Sequence, residues 1–198
     1  MATRRKVSNL LGLAVLAYLS RQPMHPYELG RTLKSNGDER SIKYNHGSLY
    51  MVVQQLAKAG FVAPWETERD GSRPERTVYA LTDAGRAELH DWLCELIEQP
   101  QREYPSFIAA LSLVAGLPPS EVVPRLRIRA DELAEQIAEA RGVIDRSLAE
   151  GVSRLFLIEE EFRVAMLTTE LDFVRRFIGE INQPGGYGRM WREFYEEK

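Results

Sequence analysis

Hydrogen-bonding side chains are concentrated between residues 43 and 58 of this 198-residue chain. They are Asn45, His46, Ser48, Tyr50 and Gln54, with Lys43 and Lys58 on either side. Polar groups of this kind bind phosphate oxygens and the edges of bases, and lysine neutralises phosphate charge. Apolar residues recur between them at helical spacing: Leu49, Val52, Val53 and Leu56. The pattern predicts a helix that begins at an Asn45 cap, buries its apolar face and offers its polar face to a nucleic acid.

Two arginines stand close together further along the chain. Arg73 and Arg76 flank a proline in and just after the polar segment RDGSRP, which has strand-prone residues on both sides. Residues 61–82 are therefore predicted to form a β-hairpin with this segment at its tip. An arginine at a rigid tip can enter a minor groove or bind a phosphate, and Arg69 is a third candidate for that role.

The predicted elements around these residues follow a recognisable order. Helices are expected over residues 8–20, 26–35, 45–59 and 82–98, with the hairpin before the last of them. This order is typical of a winged helix-turn-helix. We therefore predict a mainly α fold with a small β-hairpin. The predicted divisions are a winged helix-turn-helix DNA-binding domain at 1–98, a helical dimerisation domain at 99–183, and a tail at 184–198 that is either disordered or docked on another surface.

A coiled-coil-like seam runs through the second half of the chain. Its apolar residues alternate in steps of four and three: Leu126, Ala130, Leu133, Ile137, Ala140 and Ile144. Such a seam needs a partner helix, either within the chain or on a second subunit. Symmetry favours the second subunit, because a dimer doubles the phosphate contacts and binds two half-sites of a pseudo-palindromic operator.

Charge is distributed unevenly. Residues 1–87 hold 13 Lys/Arg and 8 Asp/Glu, a balance of +5, whereas the whole chain carries −3. A basic first half favours nucleic-acid binding by that half. Cys94 is the single cysteine of the sequence, which fits a reducing cytoplasm. The apolar run at residues 10–19 is too short to span a bilayer and lacks a cleavage site after it, so we expect a cytoplasmic protein without membrane association.

Other chemistry finds little support. His90 and Cys94 have a spacing that metal sites use, but two ligands are too few, and we predict no metal and no cofactor. The sequence has no phosphate-binding loop of the Walker type and no nucleophile elbow, so an enzyme is not expected. The alternative to DNA binding is a winged-helix adaptor that binds another protein. An adaptor would not need paired arginines at an exposed tip.

Three segments resemble the PadR family of transcriptional regulators: GLAVLAYLSRQPMHPYELGRTL, GSLYMVVQQLAKAGFV and GSRPERTVYALTDAGRAEL. The resemblance covers roughly residues 9–98, and Met51 departs from it because many members carry proline there. Residues from Ser106 to about Ile181 are similar in length and pattern to the helical C-terminal domain of the virulence-activator-like branch.

The resemblance implies a homodimer whose C-terminal helices, with the first helix, build the interface. It also implies a repressor more often than an activator, and DNA contacts by Tyr50, Arg73 and Arg76. In some members an aromatic residue near the end of the winged helix holds a flat hydrophobic effector. Trp92, Tyr104 and Phe107 are the candidates for this role, and the alternative for each of them is a plain core residue.

Overall fold

The computed structural model describes residues 5–68 and 76–196. The chain divides into two compact units, Met1–Arg102 and Glu103–Lys198, a boundary four residues beyond the predicted one. The fold is mainly α-helical with one two-stranded antiparallel sheet, as the sequence predicts. Within the described ranges, no helix is both long enough and apolar enough to cross a membrane.

The N-terminal unit is a winged helix-turn-helix. Its elements are α1 (Leu10–Leu19), α2 (Pro26–Ser35), α3 (His46–Ala59), β1 (Val62–Glu68), β2 (Arg76–Leu81) and α4 (Asp83–Glu98). Asn9 caps α1, and Thr82 caps α4 by accepting a hydrogen bond from the Gly85 amide at 3.0 Å. The connection from α2 to α3 contains a short 3-10 turn, Asp38–Arg40. Polar N-caps therefore set the starts of these helices, as expected for residues that satisfy free amides.

The core of this unit is built around α1, which packs on α3, α4 and β2. Its fully buried side chains come from three helices: Leu11, Val15, Leu16, Leu29, Leu33, Leu49 and Leu56. The wing is fixed to this core at its base. The Thr82 hydroxyl donates to the Gly60 carbonyl at 2.7 Å, and a Cβ at Gly85 would lie 2.0 Å from the Phe61 carbonyl oxygen. Only glycine allows this close approach of α4 to the start of the wing.

The C-terminal unit is a helical hairpin with shorter helices packed on it. Its elements are α5 (Ser106–Ser112), a 3-10 turn (Val114–Gly116), α6 (Pro119–Ala149), a second 3-10 turn (Arg154–Leu157), α7 (Ile158–Asn182) and α8 (Tyr187–Glu196). The seam predicted along α6 is buried from Leu126 to Ala140. Its residues from Leu126 to Ile137 form one apolar cluster with Leu171, Val174 and Ile181 of α7. The expectation that a second subunit covers this seam is corrected, because α7 of the same chain provides the partner.

The tail is also ordered where the structure describes it. Helix α8 packs on α7 and α6. The Trp191 indole is buried, and its Nε1–H donates to the Leu117 carbonyl at 3.1 Å. Of the two alternatives given for residues 184–198, this packing fits docking over residues 187–196. The reason is the apolar stripe of Tyr187, Met190, Trp191 and Phe194, whose spacing suits one face of a helix.

Candidate nucleic-acid interface

Helix α3 has the two faces that the sequence predicts. Its apolar residues Leu49, Val52, Val53 and Leu56 are all buried in the N-terminal unit. On the other side Tyr50, Gln54 and Lys58 follow one another at steps of four, and all three are exposed. Lys43 is also exposed, two residues before the cap. The helix is thus held from behind, and it leaves a phenol, an amide and an ammonium group open to a ligand.

Asn45 and Ser48 have a different role from their neighbours on α3. The Ser48 amide donates to Asn45 Oδ1 at 2.8 Å, and the Asn45 amide donates to Ser48 Oγ at 2.9 Å. The Ser48 hydroxyl in turn donates to the Asn45 carbonyl at 2.8 Å. This reciprocal capping box commits both side chains to the start of the helix. Of the predicted contact residues, these two fix the start of α3, whereas Tyr50, Gln54 and Lys58 are exposed on its outward face.

The remaining predicted contacts are described only in part. His46 is the first residue of α3 and Arg76 is the first residue of β2, but the described structure does not extend to their side chains. Arg73, with Arg69, lies outside the described residues. The two strands that lead toward the tip are present in the predicted positions, and they pair in antiparallel register from Val62 opposite Leu81 to Glu68 opposite Arg76.

His25 is a residue of this region that the sequence reasoning missed. Its Nδ1 accepts from the Tyr27 amide at 3.1 Å, and its amide donates to Glu28 Oε2 at 3.2 Å, which caps α2. Its ring lies edge-on to the Tyr50 ring. The available signal was its position directly before Pro26, since proline at the first helical residue marks the preceding residue as the cap.

A second missed residue, Tyr18, fixes the turn between α2 and α3. Its hydroxyl donates to Asp38 Oδ2 at 2.5 Å and accepts from Asn36 Nδ2 at 2.8 Å. Burial, together with the hydrogen bond to the Asp38 carboxylate, raises the pKa of Tyr18 to about 12. The phenol is therefore held neutral, and α1 is tied to the start of the α2–α3 connection, at Asn36 and Asp38.

The three aromatic residues proposed for an effector do not form one site within either unit. Trp92 belongs to the N-terminal unit and is only 4 % exposed, with the Arg5 guanidinium 5.3 Å from its ring centroid. Arg5 itself is held by Glu88 and Glu95 of α4. In the C-terminal unit, Tyr104 is 82 % exposed. The Phe107 ring is covered by the Arg129 guanidinium at 3.7 Å.

Aromatic rings converge elsewhere in the C-terminal unit. Phe177 stacks on Phe173 at 5.9 Å and on Trp191 at 6.2 Å, and it meets Tyr187 edge-on at 6.0 Å. Beside them lies a cavity of about 380 Å³ between α7, α8 and the 3-10 turn after α5. We call it the α8 groove, and its lining is almost wholly apolar: Val114, Ala115, Phe177, Tyr187, Met190, Trp191 and Phe194.

The His90–Cys94 pair lies on the surface of α4. The Cys94 sulfur is 3.9 Å from the ring nitrogens of His90, and His90 lies 3.5 Å from Asp91. Among the residues that the structure describes, no group of three His, Cys, Asp or Glu side chains is arranged to hold a metal ion.

Comparison with known proteins finds a family match in the N-terminal unit. Residues 15–91, which span α2, α3, the wing and parts of α1 and α4, match the model of the Transcriptional regulator PadR-like family. Over these residues the chain is PadR-like. Proteins of this family are transcriptional regulators, which are not enzymes.

The similarity extends over most of this chain and most of each relative. The Negative transcriptional regulator PadR of Bacillus subtilis is 22 % identical over 170 residues, which are 85 % of this chain and 92 % of that protein. The structure of Bacillus subtilis PadR with operator DNA is similar with a TM-score of 0.61 and 21 % identity, over 84 % of this chain and 99 % of that chain. The structure of the same protein with p-coumaric acid is similar with a TM-score of 0.59 and 19 % identity, over 84 % of this chain and 96 % of that chain. The structure of the Vibrio cholerae virulence activator AphA is similar with a TM-score of 0.64 and 18 % identity, over 87 % of this chain and 98 % of that chain.

Proposed function

We propose that this PadR-like protein is a homodimeric repressor that binds a pseudo-palindromic operator and is released by a small aromatic effector. The observation that carries the proposal is the exposed Tyr50–Gln54–Lys58 face of α3, whose other side is buried in the core. The repressor role is supported by the relative that is named a negative regulator.

The exposed face of α3 suits the major groove. A groove about 12 Å wide accepts one helix, and Gln can form paired hydrogen bonds with adenine. Lys58 supplies a charge for the phosphate backbone, and Lys43 supplies another before the helix. The free amides at the start of α3 also favour phosphate. We assign the wing arginines, Arg73 and Arg76, to the phosphates or the minor groove beside this contact, as in the sequence-based prediction.

The dimer requires a surface other than the α6 seam, which α7 already covers. An exposed apolar stripe runs along the first half of α7 and the turn before it: Leu155, Ile158, Phe162 and Met166. The last three follow at steps of four, so they share one face of the helix. Monomeric proteins rarely expose large contiguous apolar patches. We therefore infer that this α7 stripe is part of the contact with a second copy.

The effector is assigned to the α8 groove instead of the predicted aromatic trio. Trp92 is closed off by its own core, and Arg129 covers Phe107. The α8 groove offers several ring faces and a volume within the range of small-molecule sites. That PadR of Bacillus subtilis has a structure with p-coumaric acid supports an aromatic compound as the class of effector.

The test is selection of duplexes from a random DNA pool, followed by titration of the enriched sequence at several salt concentrations. The expected result is a palindromic sequence with half-sites about one helical turn apart, bound with an affinity that falls steeply with salt. Gln54→Ala should weaken binding roughly tenfold and relax preference at one base position. Gln55→Ala is the matched control, because Gln55 is also exposed but lies about 100° further around α3. A pool that shows no enrichment would refute DNA recognition and favour the adaptor.

A further inference from the structure

Trp65 differs from the other two tryptophans of the chain in its exposure. Trp92 and Trp191 are 4 % and 9 % exposed, whereas Trp65 on strand β1 is 64 % exposed. Tryptophan side chains are highly buried on average in folded proteins, so an exposure of this size is unusual. The exposure places a large amphipathic side chain on the surface of the wing.

The wing backbone explains why Trp65 is exposed. In the strand register, Pro64 lies opposite Tyr79 and Glu66 lies opposite Val78, so Trp65 is the extra residue of a β-bulge. A bulge bends its strand and redirects the side chain at that point. The bulge lies where the hairpin leaves the core, because Tyr79 still exchanges two backbone hydrogen bonds of 3.0 Å with Met24. Trp65 thus stands at the junction between the anchored base and the outer part of the wing.

We propose that Trp65 is a further DNA-positioning residue, whose indole ring packs on the deoxyribose of the operator backbone while its Nε1–H donates to a phosphate oxygen. This inference rests on the proposed function, in which the wing lies against the duplex. Indole has an apolar body and a single donor with no acceptor, which matches a sugar next to a phosphate. Contacts to sugar and phosphate make up half or more of the hydrogen bonds in protein–DNA complexes, and they carry no sequence information.

The chemistry of the contact gives it a distinctive signature. A neutral indole displaces no counterions, so its removal weakens binding without changing the dependence of affinity on salt. Removal of a lysine that binds phosphate, in contrast, also makes the affinity less dependent on salt, because each such contact contributes about 0.9 to the magnitude of the slope of log K against log salt. Trp65→Ala should therefore lower the affinity for the selected operator and for unrelated duplex DNA by the same factor, roughly tenfold, at an unchanged slope.

The experiment compares the wild type with Trp65→Ala, Trp65→Phe and Lys58→Ala in the full chain. Trp65→Phe should fall between wild type and Trp65→Ala, because it keeps an aromatic ring and loses the donor. Lys58→Ala should reduce the magnitude of the slope of log K against log salt. The melting temperatures of the two Trp65 variants should equal that of the wild type, because Trp65 is exposed. In addition, operator DNA should quench the fluorescence of Trp65, which is the part of the tryptophan emission that the wild type has and Trp65→Phe lacks.

Two results would overturn the inference while leaving the proposed function intact. One is wild-type affinity in Trp65→Ala with no change of Trp65 emission on DNA binding. The other is an emission change that follows protein concentration without DNA, which would assign Trp65 to a contact with a second copy. If the wild type itself selects no DNA, the proposed function fails, and the inference fails with it.

Discussion

The imidazole of His25 meets the ring of Tyr50 edge to face, with centroids 6.3 Å apart and planes inclined at 73°. The contact joins the start of α2 to the exposed face of α3. Aromatic pairs of this geometry contribute about 0.5–1.5 kcal/mol beyond their buried area. The phenol that we assign to DNA is therefore held by a neighbouring helix and is not a free surface side chain.

The first prediction concerns this pair. His25→Ala should weaken operator binding several-fold, because Tyr50 loses the ring that orients it. Tyr50→Ala should weaken binding more, and the double variant should be no weaker than Tyr50→Ala alone. Titration of a labelled operator with the four proteins measures the coupling. Additive losses would mean that His25 contacts DNA independently of Tyr50.

The second prediction separates two effects at Asn45: the hydrogen bond that caps α3, and the effect on DNA binding of a negative charge at that position. Asn45→Asp keeps an acceptor for the Ser48 amide, so the free energy of unfolding should stay within about 0.5 kcal/mol of the wild type. Operator affinity should nevertheless fall, because a carboxylate then faces phosphates. Asn45→Ala is the comparison: it removes the cap and should cost about 1 kcal/mol of stability. Chemical denaturation and DNA titration of both variants measure the two effects, and equal affinity of Asn45→Asp and wild type would count against contact near the cap.

The third prediction tests the α7 stripe. Phe162→Glu places a charge on an exposed apolar surface and should convert dimers to monomers without unfolding the chain. Ile137→Ala, in the covered seam, should instead lower stability by about 2–5 kcal/mol and leave the association unchanged. Sedimentation velocity and thermal unfolding distinguish these outcomes. A Phe162→Glu protein that remains dimeric would show that the second copy binds another surface.

The fourth prediction concerns pH. The pKa of Tyr18 is raised from its ordinary value near 10 to about 12, so the folded state holds the proton more tightly than the unfolded chain. The stability that this hydroxyl contributes is fully present below pH 10, and it is lost as the pH rises through the folded pKa. Unfolding of the wild type should therefore become easier between pH 10 and 12 than unfolding of Tyr18→Phe, relative to their values at pH 8. Parallel pH profiles of the two proteins would show that the pKa of Tyr18 is not raised in the folded state.

The fifth prediction tests the α8 groove with an uncharged aromatic probe, N-phenyl-1-naphthylamine, whose emission rises in apolar surroundings. The probe should bind the wild type and bind Met190→Glu much more weakly, because Met190 lines the groove and is itself exposed. Ile128→Glu is the control, since Ile128 is an exposed residue of α6 that does not line the groove. Equal binding by all three proteins would remove the groove as an effector site.

Much of the N-terminal unit was predictable because its signals are local. The predicted cap at Asn45 depends on hydrogen bonds within a few residues. The same is true of the caps at Asn9 and Thr82, and Gly60, with φ of 81°, ends α3 by its own backbone geometry. The burial of one face of α3 followed from spacing alone. The division of that helix into capping and outward-facing side chains did not, because Asn and Ser serve equally well in both roles.

The parts that were not predictable depend on distant partners. The spacing of the α6 seam shows that a helix must cover it, but not which one, and α7 is suitable because Leu171, Val174 and Ile181 face it in the same chain. The docking of α8 depends on Leu117, whose carbonyl is 74 residues from Trp191. The role of Tyr18 likewise depends on Asp38, which is 20 residues away. A periodic pattern carries no information about such pairings.

The closed hairpin of α6 and α7 also bears on how the proposed dimer would come apart. Since each chain completes that core by itself, separation of the proposed dimer would expose the α7 stripe and would leave the interior of each copy intact. Dilution should then yield folded single chains whose melting temperature hardly depends on concentration. A regulator assembled in this way can exchange subunits while remaining intact, so two different variants mixed in solution would form hybrids without passing through an unfolded state.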